Sequence, residues 1–221
     1  MNVIPTDKET SIILGSAIQI SCGELQTEVN ATYADMNKNL TVKFLFEKNP
    51  TLWKTEPEQI KEISQRLGWL SLPDNFTKKV ENLRAFALQI KTEGYKAIVL
   101  LGMGGSSLCS EVARQTFGSS EGFPELFVLD NTDPSAIKDL ENKIVLDKTL
   151  FIVASKSGNT KETLSFFRYF YDELEKTGIN TPGNNFVAIT DEGTPLTKMA
   201  EYYSFRKIIY NDARDYHCKN R

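Results

Sequence analysis

The chain has 221 residues, with 26 Lys and Arg against 29 Asp and Glu and a formal net charge of −3. Apolar residues make up 40% and charged residues 25%, and the 13 Gly and 8 Pro are too few for a disordered or collagen-like chain. The near-neutral charge excludes a phosphate-backbone binder that works by bulk basicity, so nucleic acid is not an expected partner.

Residues 1–20 carry no clear period. The mildly apolar stretch 11–20 lacks a basic leader, since Lys8 sits between Asp7 and Glu9, and no signal peptide is expected. Residues 24–37 read as a polar helix, 41–46 as a short apolar patch, and 56–67 as a second helix with Pro57 suited to its first turn. Ile60, Ile63 and Leu67 share one face of that helix. Pro73-Asp74 is a start signal, after which Val80, Leu83, Ala87 and Ile90 recur at helical spacing as far as Gly94.

From Lys96 onward, apolar β-rich runs alternate with helical ones. Strands are expected at 97–101, 126–129, 150–154, 186–189 and 207–210, and helices at 106–117, 134–144, 160–176 and 195–203. In helix 160–176, Leu164, Phe167, Tyr171 and Leu174 fall on one face. Phe166, Phe167, Phe170 and Tyr171 read as packing, not as a stacking surface for bases. Strands that are apolar throughout indicate a parallel sheet covered on both faces. The expected fold is therefore α/β: a doubly wound five-stranded parallel sheet, preceded by a helical N-terminal segment. No apolar run approaches the ~20 residues of a spanning helix, so no membrane association is expected. Cys22, Cys109 and Cys218 show no CxxC spacing, which points to reduced thiols in the cytoplasm and to neither a disulfide nor a zinc site. Cys109 reads as a small core filler.

Two strand ends carry chemistry. The first strand runs into Gly102-Met-Gly-Gly-Ser-Ser107 and then a helix, whose free N–H groups suit an anion. A dinucleotide fingerprint would need Gly where Ser107 stands, although Asp130 ends the next strand where a ribose-binding acid would lie. The third strand runs into Ser155-Lys-Ser-Gly-Asn-Thr-Lys-Glu-Thr163, dense in hydroxyl donors around Lys156 and opening onto a helix. It lacks the GxxxxGK[ST] order of a P-loop, so it suggests a phosphomonoester rather than a nucleoside triphosphate. Asn159 with Glu162 reads as a capping box. Loops on the first and third strands of one sheet are expected to converge on one pocket.

These two loops together resemble the sugar isomerase (SIS) fold, flavodoxin-like in its wiring, and more narrowly the glucose-6-phosphate isomerase family. Residues 99–108, 129–134 and 188–192 support the likeness, and residues 52–70 are similar to the isomerase half of bacterial transaldolase/glucose-6-phosphate isomerase fusions. The resemblance implies interconversion of glucose 6-phosphate and fructose 6-phosphate, a phosphorylated hexose as partner, no cofactor or metal, and a homodimer in the full-length protein. It implies that Gly105 and Ser106 touch the sugar. Ser155, Lys156, Ser157 and Thr160 would hold the phosphate, Gly158 and Asn159 would shape the loop, and Glu162 and Thr163 would stand behind it.

Such an isomerisation needs a carboxylate to move a proton between C2 and C1, a cation for the enediolate, and a group to open the ring. The resemblance places those groups in a second half that this sequence lacks, so no catalytic residue is assigned. Arg214 lacks the Gly-Gly that precedes the family's Arg, and His217 reads as a terminal residue without packing partners. The expected organisation is a helical segment at 1–73, an SIS sugar-phosphate domain at 74–211 and a divergent, disordered tail at 212–221. A stand-alone SIS sugar-phosphate-binding regulatory module is the alternative reading. A nicotinamide-dependent oxidoreductase is disfavoured by Ser107 and by the loop on the third strand.

Overall fold

The computed structural model describes residues 11–14 and 18–210, so the tail with Arg214, His217 and Cys218 lies outside the described residues. The chain divides into two compact units between Leu70 and Ser71.

The first unit opens with β1 (Ser11–Leu14) paired antiparallel to β2 (Ile18–Ser21), a hairpin in the stretch where no period is legible. Helices α1 (Gln26–Lys38), α2 (Thr41–Phe46) and α3 (Pro57–Ser64) follow. The apolar patch at 41–46 is thus a six-residue helix. Leu40, in the left-handed region at φ 52°, separates it from α1. None of these three helices contains a buried residue, whereas Leu67 is 5% exposed.

The second unit begins with α4 (Leu72–Thr77) and α5 (Val80–Thr92), two helices where the spacing suggests one. The break has a local cause. The Lys79 N–H bonds the Phe76 carbonyl in a tight three-residue step, and the Thr77 hydroxyl bonds the Pro73 carbonyl. Then come β3 (Ala97–Gly102), α6 (Gly105–Phe117), β4 (Glu125–Leu129), α7 (Pro134–Glu141), β5 (Thr149–Ala154), α8 (Lys161–Lys176), β6 (Phe186–Thr190), α9 (Pro195–Tyr202) and β7 (Lys207–Tyr210). The sheet is wholly parallel in the order β4-β3-β5-β6-β7. Counted within this sheet, that is the flavodoxin-like order 2-1-3-4-5, whose direction reverses between β3 and β5.

One face carries the main core. Val99, Leu101, Phe151, Val153, Phe186 and Ala188 pack under Leu140, Phe166, Phe167, Phe170, Leu174, Leu196 and Ala200 of α7, α8 and α9. Its centre is aromatic: Phe151 stacks on Phe170 at 4.7 Å and on Phe186 at 5.2 Å, and Phe167 meets Phe186 edge-on at 5.1 Å. The buried stripe of α8 is Thr163, Phe166, Phe167, Phe170 and Leu174, one residue off the expected face, with Leu164 and Tyr171 half-buried. The opposite face is thinner. Ile90, Leu150 and Val187 are buried there, with Phe86, Tyr95, Ile98, Ile152 and Ile209 partly covered. Continuous apolar strands therefore do not bring equal coverage of both faces.

Candidate functional site

The order reversal puts the carboxyl ends of β3 and β5 side by side. Gly102 and Ala154 are register partners, so the two donor loops start one strand spacing apart, about 4.8 Å. This is the crevice where open α/β sheets bind ligands. The expectation that the two loops approach each other follows from the sheet order.

The first loop is shaped by its glycines. A Cβ on Gly102 would lie 3.3 Å from the Ser106 Cβ and 3.4 Å from the Ala154 carbonyl, so only a small residue lets the two loops meet. Gly104, at φ +56°, turns the chain into α6, which starts at Gly105 with no side-chain cap. Gly105 is exposed and Ser106 half-buried, while Ser107 is 1% exposed. The Ser107 hydroxyl is shared between the Gly104 carbonyl at 3.0 Å and Asp130 Oδ2 at 3.2 Å. The serine that replaces the fingerprint glycine thus engages the acid that a ribose would use. Cys109 is exposed on α6, which corrects its reading as a core filler.

The second loop is built around Ser155, which is 2% exposed. Its N–H donates to the Ile189 carbonyl at 3.0 Å, and its Oγ accepts from the Gly158 N–H at 3.1 Å and lies 3.0 Å from Thr160 Oγ1. Ser157 Oγ accepts from the Asn159 N–H at 3.3 Å. Ser155, Gly158 and Thr160 therefore form one hydrogen-bonded turn. The side chains of Lys156, Ser157 and Asn159 are exposed at its rim.

The capping box expected from Asn159 and Glu162 does not form. The N-cap is Thr160, one residue later, and no side chain caps α8. Thr160 spends its hydroxyl on Ser155, and Glu162 is exposed in the first turn. The first-turn N–H groups of a 16-residue helix are thus left without a side-chain acceptor, an arrangement that suits an oxyanion. Thr163 adds a second observation. Its side chain is fully buried, and its Oγ1 has no hydrogen-bond partner. An unsatisfied buried hydroxyl costs about 1–3 kcal/mol.

Under the loop lie groups that sequence reasoning did not single out: Thr190, Thr194 and Thr197, all buried. Their only sequence signal is a strand that ends in Thr followed by a Thr-Pro helix start. Among the described residues no three His, Cys, Asp or Glu side chains cluster as a metal site. No described helix is long and apolar enough to cross a membrane.

Residues 73–201 match the family model described as phosphoglucose isomerase. A protein of Methanococcus maripaludis named "Probable glucose-6-phosphate isomerase" is 34% identical over 152 residues, covering 66% of this chain and 33% of that protein. The glucose-6-phosphate isomerase of Campylobacter jejuni is 34% identical over 136 residues, covering 61% of this chain and 33% of its own. Among solved structures, a hypothetical protein from Thermus thermophilus superposes with a TM-score of 0.62 at 25% identity, over 85% of this chain and 42% of that one. A glucose-6-phosphate isomerase from Chlamydia trachomatis shares the fold, with a TM-score of 0.54 at 24% identity over 61% of this chain and 25% of that one. The chain spans about a third of the length of the curated relatives named here.

Proposed function

Because this chain belongs to the phosphoglucose isomerase family, we propose that it is the sugar-phosphate-binding part of a glucose-6-phosphate isomerase, which interconverts glucose 6-phosphate and fructose 6-phosphate. The observation that carries this reading is the pairing of two donor loops at the strand-order reversal, inside the span that the family model matches.

In this reading the phosphate sits on the loop from Ser155 to Thr160, at the start of α8. Ser155, Lys156, Ser157 and Thr160 hold it, Gly158 and Asn159 shape the turn, and Thr163 brings its unpartnered hydroxyl from behind. Glu162 stands in the first turn beside them. Gly105 and Ser106, at the start of α6, touch the sugar. Lys156 and the two helix starts supply the positive field that a dianionic phosphate requires. Residues 74–211 are the SIS domain of this reading and 1–73 its helical preface. It places the protein in the cytoplasm, without a cofactor. A homodimer of the full-length enzyme belongs to the same reading, supported by the exposed Leu108, Val112 and Phe117 of α6.

The chemistry itself needs a base, an enediolate cation and a ring-opening group. None of these is assigned to the residues named above. The 221-residue polypeptide therefore binds hexose 6-phosphate weakly, with a Kd on the order of 1 mM, and does not turn it over. Calorimetric titration with glucose 6-phosphate, alongside a coupled isomerase assay free of host enzyme, tests both halves. Absence of any heat at 20 mM ligand, roughly twenty times that Kd, overturns the binding assignment. Turnover by the purified chain overturns the division of labour.

A further inference from the structure

Three buried threonines lie beneath the second loop, outside the donor set named above. Thr190 ends β6, Thr194 N-caps α9 and Thr197 lies in the first turn of α9; they are 0%, 5% and 6% exposed. Their Oγ1 atoms form a chain, 2.8 Å between Thr190 and Thr194 and 3.3 Å between Thr194 and Thr197. One set of protons gives each hydroxyl an acceptor and leaves the Thr194–Thr197 Oγ1 approach as a contact without a proton of its own. Thr194 donates to Thr190, whose own hydroxyl points to the Lys156 carbonyl at 3.5 Å. Thr197 donates to the Asp191 carbonyl at 3.3 Å, and its N–H donates to Thr194 Oγ1 at 3.3 Å. The Asp191 N–H donates to the same Lys156 carbonyl at 3.2 Å.

Gly158 rests directly on this floor. It stands at φ +69°, and a Cβ there would lie 2.7 Å from the Thr194 Cβ, 2.8 Å from its Oγ1 and 2.9 Å from the Leu196 nitrogen. The loop is thus held from below at two points, the Lys156 carbonyl and Gly158. The polar side chains of Lys156, Ser157 and Asn159 remain exposed.

We propose that Thr190 and Thr194 are positioning residues for this loop: their hydroxyl chain sets where its donors meet an oxyanion. The proposal rests on the reading of residues 155–160 as the phosphate loop. Thr194→Val keeps the shape beneath Gly158 and removes the hydroxyl, which takes away the donor to Thr190 Oγ1 and leaves the Thr197 N–H without its acceptor. Serine keeps the hydroxyl.

The test compares the full chain with its Thr194→Val and Thr194→Ser variants. Amide hydrogen exchange without ligand is read first, then titration with glucose 6-phosphate. In Thr194→Val the Gly158 and Asp191 amides exchange about tenfold faster and sugar-phosphate affinity falls about tenfold. Amides of the core strands, such as Val153 and Val187, keep their wild-type protection, and Thr194→Ser restores both readouts. Wild-type exchange at Gly158 and Asp191 in Thr194→Val overturns the proposal, as does a uniform increase that includes Val153 and Val187. If Thr194→Val does not fold, the wild-type chain decides: the Gly158, Asp191 and Thr197 amides share one opening rate, and three independent rates overturn the proposal. If the wild type binds no glucose 6-phosphate, the phosphate reading fails, and the exchange data still decide whether the threonines hold the loop.

Discussion

Single side chains here separate ligand chemistry from packing. Ser107 replaces a glycine and bonds Asp130, so one hydroxyl removes the acid on which a dinucleotide reading depends. Thr163 is the opposite case, a buried hydroxyl that bonds nothing. Replacing it with valine, close in shape, loses no hydrogen bond in the free protein. Thr163→Val is therefore expected to leave the thermal midpoint unchanged or slightly higher while sugar-phosphate affinity falls severalfold. A clear loss of stability in the ligand-free variant refutes that assignment. Tyr169 offers a pH marker. Partial burial first, and then the Glu141 carboxylate that accepts its hydroxyl at 2.8 Å, push the phenol up to about 12. A phenol with a raised pKa stabilises the fold fully below its ordinary value of 10.0, and the contribution is lost as pH rises through about 12. Ultraviolet titration should show a late-titrating tyrosine that moves down in Glu141→Gln.

Among the elements, the two faces of the sheet are unequal, and mutations should report it. Phe167 is fully buried among Phe186, Tyr171, Tyr203 and Phe205. Phe167→Ala is expected to cost about 3–5 kcal/mol. Val112 on α6 is 57% exposed, and Val112→Ser should stay within about 0.5 kcal/mol. Urea denaturation with unchanged slope separates the two. At the amino-terminal edge of the sheet Arg206 joins three segments. Its Nε donates to the Asn184 carbonyl at 2.7 Å, and its terminal nitrogens reach Glu93 and the Tyr95 hydroxyl. Arg206→Ala should cost about 1–3 kcal/mol, because it removes three hydrogen bonds, one of them to the Glu93 carboxylate. Hydrogen bonds from Gln89 first and Arg206 second hold the Glu93 carboxyl below its ordinary 4.5. Its contribution is therefore present above about pH 4.5 and is lost as pH falls through the lowered value. The Arg206→Ala penalty, measured by denaturation at pH 7 and at pH 3, should shrink at the lower pH.

Across the whole molecule the units are uneven in their internal support. Helices α1, α2 and α3 bury no residue, whereas the second unit holds a continuous aromatic and aliphatic core. Local opening free energy follows such burial. Limited proteolysis is thus expected to cut before residue 71 first and to leave a resistant fragment whose far-UV circular dichroism persists. Cleavage inside β5 or α8 at an equal rate contradicts this.

The alternating strands and helices from Lys96 onward, and the donor-rich loops after β3 and β5, are legible in the amino-acid order. Local periodicity and turn chemistry depend on near neighbours in the chain. So are the fold class and the family resemblance, since both rest on motifs of a few residues in sequence. The hairpin at β1 and β2 is not legible, because β1 is Ser-Ile-Ile-Leu without alternation and the Ile-Gln-Ile-Ser of β2 alternates over only four residues, too few to mark a strand. The cap expected at Asn159 is displaced by a hydroxyl pairing inside the loop, Thr160 with Ser155, and Cys109 is exposed because α6 turns its thiol outward. The threonine floor is the strongest instance. Thr190 and Thr194 stand more than thirty residues from Lys156 and Gly158, and only the parallel pairing of β5 with β6 brings them together. Residues so far apart in sequence leave no local period to read, and the side-by-side strand ends that bring them together exist only once the sheet has closed.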